Sequence, residues 1–198
     1  MKRITVEVRE DHLESLARTK PVNAIAELIW NALDAEATKV KVEFIENELG
    51  GLESVRVSDD GVGMHYDDAF IVFRNLGGSW KREGFRTHQR RRVLHGKHGK
   101  GRFRAFSIGN HVTWDTVYEE AGKRFGYTIT GRAARLGEFD ITGARGCMDR
   151  DTGMCITITT LPRQADVLRG VKALEEITHV FDPYMRQYPD AVSYTHLT

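Results

Sequence analysis

The stretch Asn23-Ala-Ile-Ala-Glu27-Leu-Ile-Trp-Asn31-Ala-Leu-Asp34-Ala35-Glu-Ala37 constrains this chain more than any other. Ile25, Leu28, Ile29, Ala32 and Leu33 recur at helical spacing and make one apolar face. Glu27, Asn31 and Asp34 stand at i, i+4 and i+7. At about 100° per residue they fall within roughly 60° of one another on the opposite face. The fold must bury one side of this helix against a layer and leave an acid, an amide and a second acid on the other. Such a trio, taken alone, is most often solvated surface. The small residues Ala24 and Ala35 beside it leave room for something to approach.

Around this helix the chain alternates between strand and helix patterns. Ile4–Val8 alternates as a short strand, His12–Arg18 reads as a helical turn, and the central helix runs from about Pro21 to Ala35. Thr38–Ile45 and Leu52–Ser58 read as a hairpin turning at Asn47–Gly51, and the second strand runs directly into Asp59-Asp60-Gly61-Val62-Gly63-Met64. A helix follows over Tyr66–Asn75. His111–Tyr118, Arg124–Thr130, Ala133–Ile141 and Met154–Leu161 read as antiparallel strands. A last helix is expected from Arg163 or Ala165 to Val180, burying Leu168, Val171, Leu174 and Ile177. The organisation is one domain over residues 1–190. The tail 191–198 lacks period and is expected to be unstructured, and whether it is native is left open.

The 198 residues suffice for one core, and a net charge of +1 excludes a chain that is polycationic throughout. The charge is uneven. Lys81 to Arg104 is basic with only Glu83 opposing, and the stretch has no clean period. We read about 80–100 as a loop, since an unstructured stretch of this length is usually functional or disordered. Cys147 and Cys155 have no metal-ligand spacing and suit two reduced thiols. Acidic residues follow Met1-Lys-Arg too early for a leader peptide, and no apolar run reaches a membrane span. A cytoplasmic protein is expected.

Three separated elements call for one explanation: the helix trio, the strand end at Asp59 with Gly61 and Gly63, and Gly96, Gly99 and Gly101 at a helix start. A glycine loop opening a helix offers free backbone N–H groups to an anion, although glycine turns are common. Asp59 before two glycines is an ordinary turn, or a carboxylate that accepts from an adenine amino group. Asn31 can supply an oxygen to Mg²⁺, which is usually shared with substrate phosphates. Glu27, one turn earlier, would face a water near the terminal phosphate and act as general base.

In order and spacing, Glu27-x-x-x-Asn31-x-x-Asp34-Ala35, Asp59-x-Gly61-x-Gly63-Met64 and Gly96-x-x-Gly99-x-Gly101 resemble the motifs of the GHKL ATPases. That superfamily includes DNA gyrase B, the ninety-kilodalton heat-shock chaperone, MutL, the MORC proteins and the histidine kinases. The resemblance covers residues 20–110 and more weakly 153–161. It implies an α/β (α+β) two-layer sandwich: a mixed, largely antiparallel sheet with helices on one face and ATP between them. It implies Glu27 as the water-activating base, Asn31 as the Mg²⁺ ligand and Asp59 as the adenine carboxylate. Asp34 supports the same pocket, and Gly61, Gly63 and Met64 line the base. Gly77, Gly78, Ser79 and Lys81 resemble the segment ahead of an ATP lid. Gly96, Lys97, His98, Gly99, Lys100 and Gly101 resemble the part of the lid that wraps the phosphates.

Two departures stand out. Many relatives carry Gly-Thr before the last strand, the Thr reaching adenine through water. Here Gly153 precedes Met154, with Thr157 or Thr152 as substitutes. Relatives often carry Asn after the adenine Asp, and here Asp60 adds a charge with no evident purpose.

Glu at position 27 favours hydrolysis, whereas histidine kinases usually carry Asn there. The helix is nearest in flavour to the MutL, MORC and chaperone branch, ATP-driven clamps in which ATP closes two copies on each other. The expected partners are therefore ATP, a second copy and a transducer domain that delivers a basic residue. The alternative from another class is a nucleic-acid-binding module using Arg82, Arg86, Arg90, Arg91, Arg92, Lys97, Lys100, Arg102 and Arg104. His88, His95 and His98 read as loop residues rather than metal ligands.

Overall fold

The computed structural model describes residues 10–74, 95, 101–190 and 192–197. Helix α1 spans Glu10–Ala17 and α2 spans Pro21–Asp34. Proline opens α2, where its missing N–H has no intrahelical partner to lose. Strands β1 (Lys39–Glu46) and β2 (Leu52–Asp59) form the expected hairpin, followed by α3 (Tyr66–Arg74). A single turn, α4 (Gly101–Arg104), tightens into a 3₁₀ turn over Ala105–Ser107. Then come β3 (His111–Glu120), β4 (Lys123–Arg132), β5 (Phe139–Ile141), β6 (Arg145–Gly146) and β7 (Gly153–Thr159). A 3₁₀ segment over Arg163–Arg169 leads into α5 (Val171–Gln187), and β8 spans Val192–Leu197.

The strands make one mixed sheet in the order β5-β4-β3-β7-β2-β1-β8, with β6 on β4. Every pairing is antiparallel except β1 with β8. Val40, Val42 and Phe44 of β1, Val55 and Val57 of β2, Ile156 and Ile158 of β7, and Val112 and Trp114 of β3 are buried on one face. That face receives Ile25, Leu28, Ile29 and Leu33 of α2, all at most 1% exposed. The result is the expected two-layer sandwich, with period-2 alternation in the sheet meeting period-3.6 alternation in the helix.

Five expectations differ from the structure. Ala133–Ile141 is not one strand: Ala133–Arg135 makes a 3₁₀ turn, and pairing resumes only at Phe139. The last helix is interrupted at Gly170, whose extended backbone (ψ 143) separates the 3₁₀ segment from α5. It also runs past Val180 to Gln187, despite Pro183, because Phe181 and Tyr184 pack on Trp30 of α2. Of the expected buried face, Leu168 and Ile177 are buried and Leu174 is half-buried, but Val171 is 71% exposed, and Ala173, Phe181 and Tyr184 complete the face. The tail expected to be unstructured instead forms β8, parallel to β1, whose edge would otherwise leave its backbone groups unpaired. The expected strand at Ile4–Val8 lies outside the described residues.

Candidate functional site

The C-terminal end of α2 and the loop after β2 are pinned together. The Val62 N–H donates to the Ala35 carbonyl at 2.9 Å. Gly63 has φ +70, and a Cβ there would overlap the Val117 carbonyl. Only glycine fits so close to β3 in a left-handed conformation. The Met64 N–H donates to Thr116 Oγ1 at 3.0 Å, and the Met64 carbonyl accepts from the Tyr127 hydroxyl at 3.0 Å. The loop is thereby held on α2, β3 and β4 at once.

Asp59 lies at the end of β2 on the helix-bearing face, in register with Met154, which in turn pairs with Thr116. It is enclosed on nearly every side but keeps an opening to solvent. Burial pushes its carboxyl up to about 6, against the Gly61 and Met154 backbone amides, which favour the charged form. The Gly61 N–H reaches Asp59 Oδ1 at 2.9 Å. A recessed carboxylate with acceptor capacity left is suited to a ligand's amino group.

Asp60 turns the other way. Its carboxylate accepts from the Thr38 and Lys39 N–H groups, each at 2.7 Å, and from the Thr38 hydroxyl. Burial alone would raise its pKa, but these bonds from Thr38 and Lys39 outweigh it and lower it below the ordinary value. Its charge ties the start of β1 to the end of β2, which accounts for an acid at a position the sequence leaves unexplained.

The helix trio is graded rather than uniformly exposed. Glu27 and Asn31 are half-buried, whereas Asp34 is 4% exposed. Asp34 Oδ1 accepts the His95 N–H at 2.9 Å, and the His95 ring stacks on Trp30 at 3.8 Å. Residue 95 thus covers the part of the stripe that a lone helix would show to water. Ala24 is fully buried and Ala35 half-buried, so only the latter flanks an open surface. The Asn31 side chain makes no hydrogen bond among the described residues, leaving its oxygen free for a hard cation. Glu27 Oε2 accepts from Arg104 Nη1 at 2.8 Å.

Gly101 opens α4 as expected, but that helix is one turn long, so its dipole adds little. Gly77, Gly78, Ser79, Lys81, Gly96, Lys97, His98, Gly99 and Lys100 lie outside the described residues. Thr157 cannot take the place of the missing Thr: its register partner is Arg56, on the sheet face away from Asp59. The hydroxyl beside the Asp59 row belongs instead to Thr116, which also donates to the Gly153 carbonyl at 3.2 Å. Gly153 has φ +143, and a Cβ there would strike the Asp59 carbonyl. Thr116 was readable in principle. It is the polar member of the series Val112, Trp114, Thr116 and Tyr118, and a polar residue in a buried register must find partners.

Of the basic run, Arg102 is 7% exposed and lies over the Phe103 ring, its centroid 4.4 Å away, and burial lowers its pKa to about 10. Arg104 is paired with Glu27. Both guanidinium groups are thus already engaged within the fold. Among the described residues no group of three His, Cys, Asp or Glu could hold a metal, both cysteines are free thiols, and no helix is long and apolar enough to cross a membrane.

The chain is 46% identical over 54 residues to the DNA mismatch repair protein MutL of Acidobacterium capsulatum, covering 27% of this chain and 8% of that protein. It is 48% identical over 48 residues to MutL of Aquifex aeolicus, covering 24% and 11%. The matched segment therefore spans about a tenth of the length of these curated relatives. Among solved structures, the Aquifex aeolicus MutL ATPase domain complexed with ADP superposes with a TM-score of 0.53 at 19% identity, over 91% of this chain and 61% of that one. The N-terminal domain of a DNA repair protein gives 0.58 at 19%, over 93% and 50%. At such identity these two show the fold. Residues 19–133, more than half of the chain, match the family model, and the chain belongs to the histidine kinase-, DNA gyrase B- and HSP90-like ATPases.

Proposed function

We propose that this chain binds ATP with Mg²⁺ and hydrolyses it slowly, as the nucleotide-binding part of an ATP-driven conformational clamp. The observation that carries the reading is the recessed Asp59 carboxylate, held beside the end of the helix that bears Glu27 and Asn31. Asp59 accepts from the adenine amino group, with Met64 against the ring. Asn31 would hold Mg²⁺ through its amide oxygen, and the metal would neutralise phosphate charge. Glu27 takes a proton from the attacking water. Gly77, Gly78, Ser79, Lys81 and the segment Gly96 to Gly101 belong to the lid over the phosphates, and Asp34 anchors its far end through His95.

Two copies of the chain close on each other when ATP binds, the behaviour that the resemblance of the three motifs to ATP-driven clamps implies. The rate depends on a cation at the terminal phosphate, since such electrostatic stabilisation is usually a large term. The burial of Arg102 and the pairing of Arg104 weigh against a nucleic-acid module.

The test is steady-state phosphate release by the full chain with Mg²⁺-ATP. Glu27→Ala should lower the rate roughly 10²–10⁴-fold while nucleotide still binds. A mutant as fast as the parent would remove Glu27 from the role of base.

A further inference from the structure

We propose that Arg104 is a positioning residue for Glu27, holding one carboxylate oxygen so that the other faces the attacking water. The inference rests on the reading of Glu27 as the base. Arg104 Nη1 contacts Glu27 Oε2 at 2.8 Å, across 77 residues of sequence. Glu27 Oε1 has no partner among the described residues. Among the described residues the pair is thus one-sided: one oxygen is held and the other is open.

The root of the arginine is rigid. Its neighbours Phe103 and Ala105 are 2% and 0% exposed, and its carbonyl accepts the Ser107 hydroxyl at 2.8 Å. Glu27 stands on α2 between the fully packed Ala26 and Leu28, 9% and 1% exposed. Two anchored backbones therefore fix a flexible glutamate by its tip. A half-shielded single pair, at 36% and 23% side-chain exposure, adds little to fold stability. Orienting a base is where such a contact has its largest effect, because a small misplacement costs much of the rate. Arg104 also lies three residues after Gly101, in the same helical turn, so the end of the third motif is coupled to the base itself.

Steady-state hydrolysis and calorimetric binding of a non-hydrolysable ATP analogue with Mg²⁺ would be measured on the full chain. The variants are Arg104→Ala, Arg104→Lys, Glu27→Ala and the Arg104→Ala/Glu27→Ala pair. Arg104→Gln replaces Arg104→Ala if the latter does not fold. The expected result is a kcat lowered roughly 10–100-fold in Arg104→Ala with analogue affinity within about twofold of the parent. Arg104→Lys should recover part of the rate. Adding Arg104→Ala to Glu27→Ala should cost nothing further, since the arginine acts through the glutamate.

An unchanged kcat would overturn the inference, as would a further loss in the Glu27→Ala background. An affinity that falls in step with kcat would make Arg104 a phosphate ligand instead. If Glu27→Ala is inactive while Arg104→Ala matches the parent, only this inference fails. If the parent does not bind the analogue, the proposed function fails first. A parent that binds without turnover overturns the inference as well.

Discussion

At the scale of single residues, Asp59 carries the sharpest consequence. Its folded pKa of about 6 lies above the ordinary 3.8. Between those values the folded state holds the proton more tightly than the unfolded chain. The group therefore favours the fold below pH 3.8 and loses that contribution as pH rises through about 6. At pH 7 its ionisation costs the fold on the order of 2–4 kcal/mol. Asp59→Asn should then raise the melting temperature of the nucleotide-free protein at pH 7. A melt at or below that of the parent would contradict the burial argument. The ionised form is the one that accepts from a ligand amino group, so nucleotide affinity of the parent should fall as pH drops below about 6. Calorimetric titrations at pH 7.5 and 5.5 would show it, and Asp59→Asn should lose that pH dependence. Thr116→Val should cost about 1–3 kcal/mol in chemical denaturation, because Met64 N–H and the Gly153 carbonyl lose their shared partner.

At the scale of elements, legibility followed the strength of each period. The β1–β2 hairpin and α2 appear within a residue or two of expectation, because their alternation is clean and each buries one face. The segment after Arg163 was read less well, since Gly170 allows helix on either side and the pattern does not show that it adopts an extended backbone. The burial of Asp34 was not visible in α2 alone, because what covers it comes from residue 95, sixty-one positions away. Thr116 and Tyr127 hold the glycine loop from strands that pattern reading treats only as sheet. The α5 correction is measurable. Phe181→Ala should destabilise by about 3–5 kcal/mol, whereas Val171→Ala should stay within about 0.5 kcal/mol. A costly Val171→Ala in urea unfolding would restore the face expected from sequence.

For the whole molecule, the family and the two-layer fold were legible from three motifs spread over residues 27–101. Pattern reading did not show which groups around those motifs are already engaged. Asp60 is occupied by Thr38 and Lys39, and Asp34 by His95, while Asn31 is free among the described residues. This division of labour between structural and open polar groups supports a nucleotide site with Asp59 at its floor. The most direct test is calorimetric titration of the full chain with a non-hydrolysable ATP analogue and Mg²⁺ at pH 7.5, repeated with the guanine analogue and with Asp59→Asn. The account predicts one adenine nucleotide bound per chain, binding weakened by about 1.5–3 kcal/mol in Asp59→Asn, and a clear preference over guanine. Equal affinity for the two nucleotides, or for mutant and parent, would contradict it.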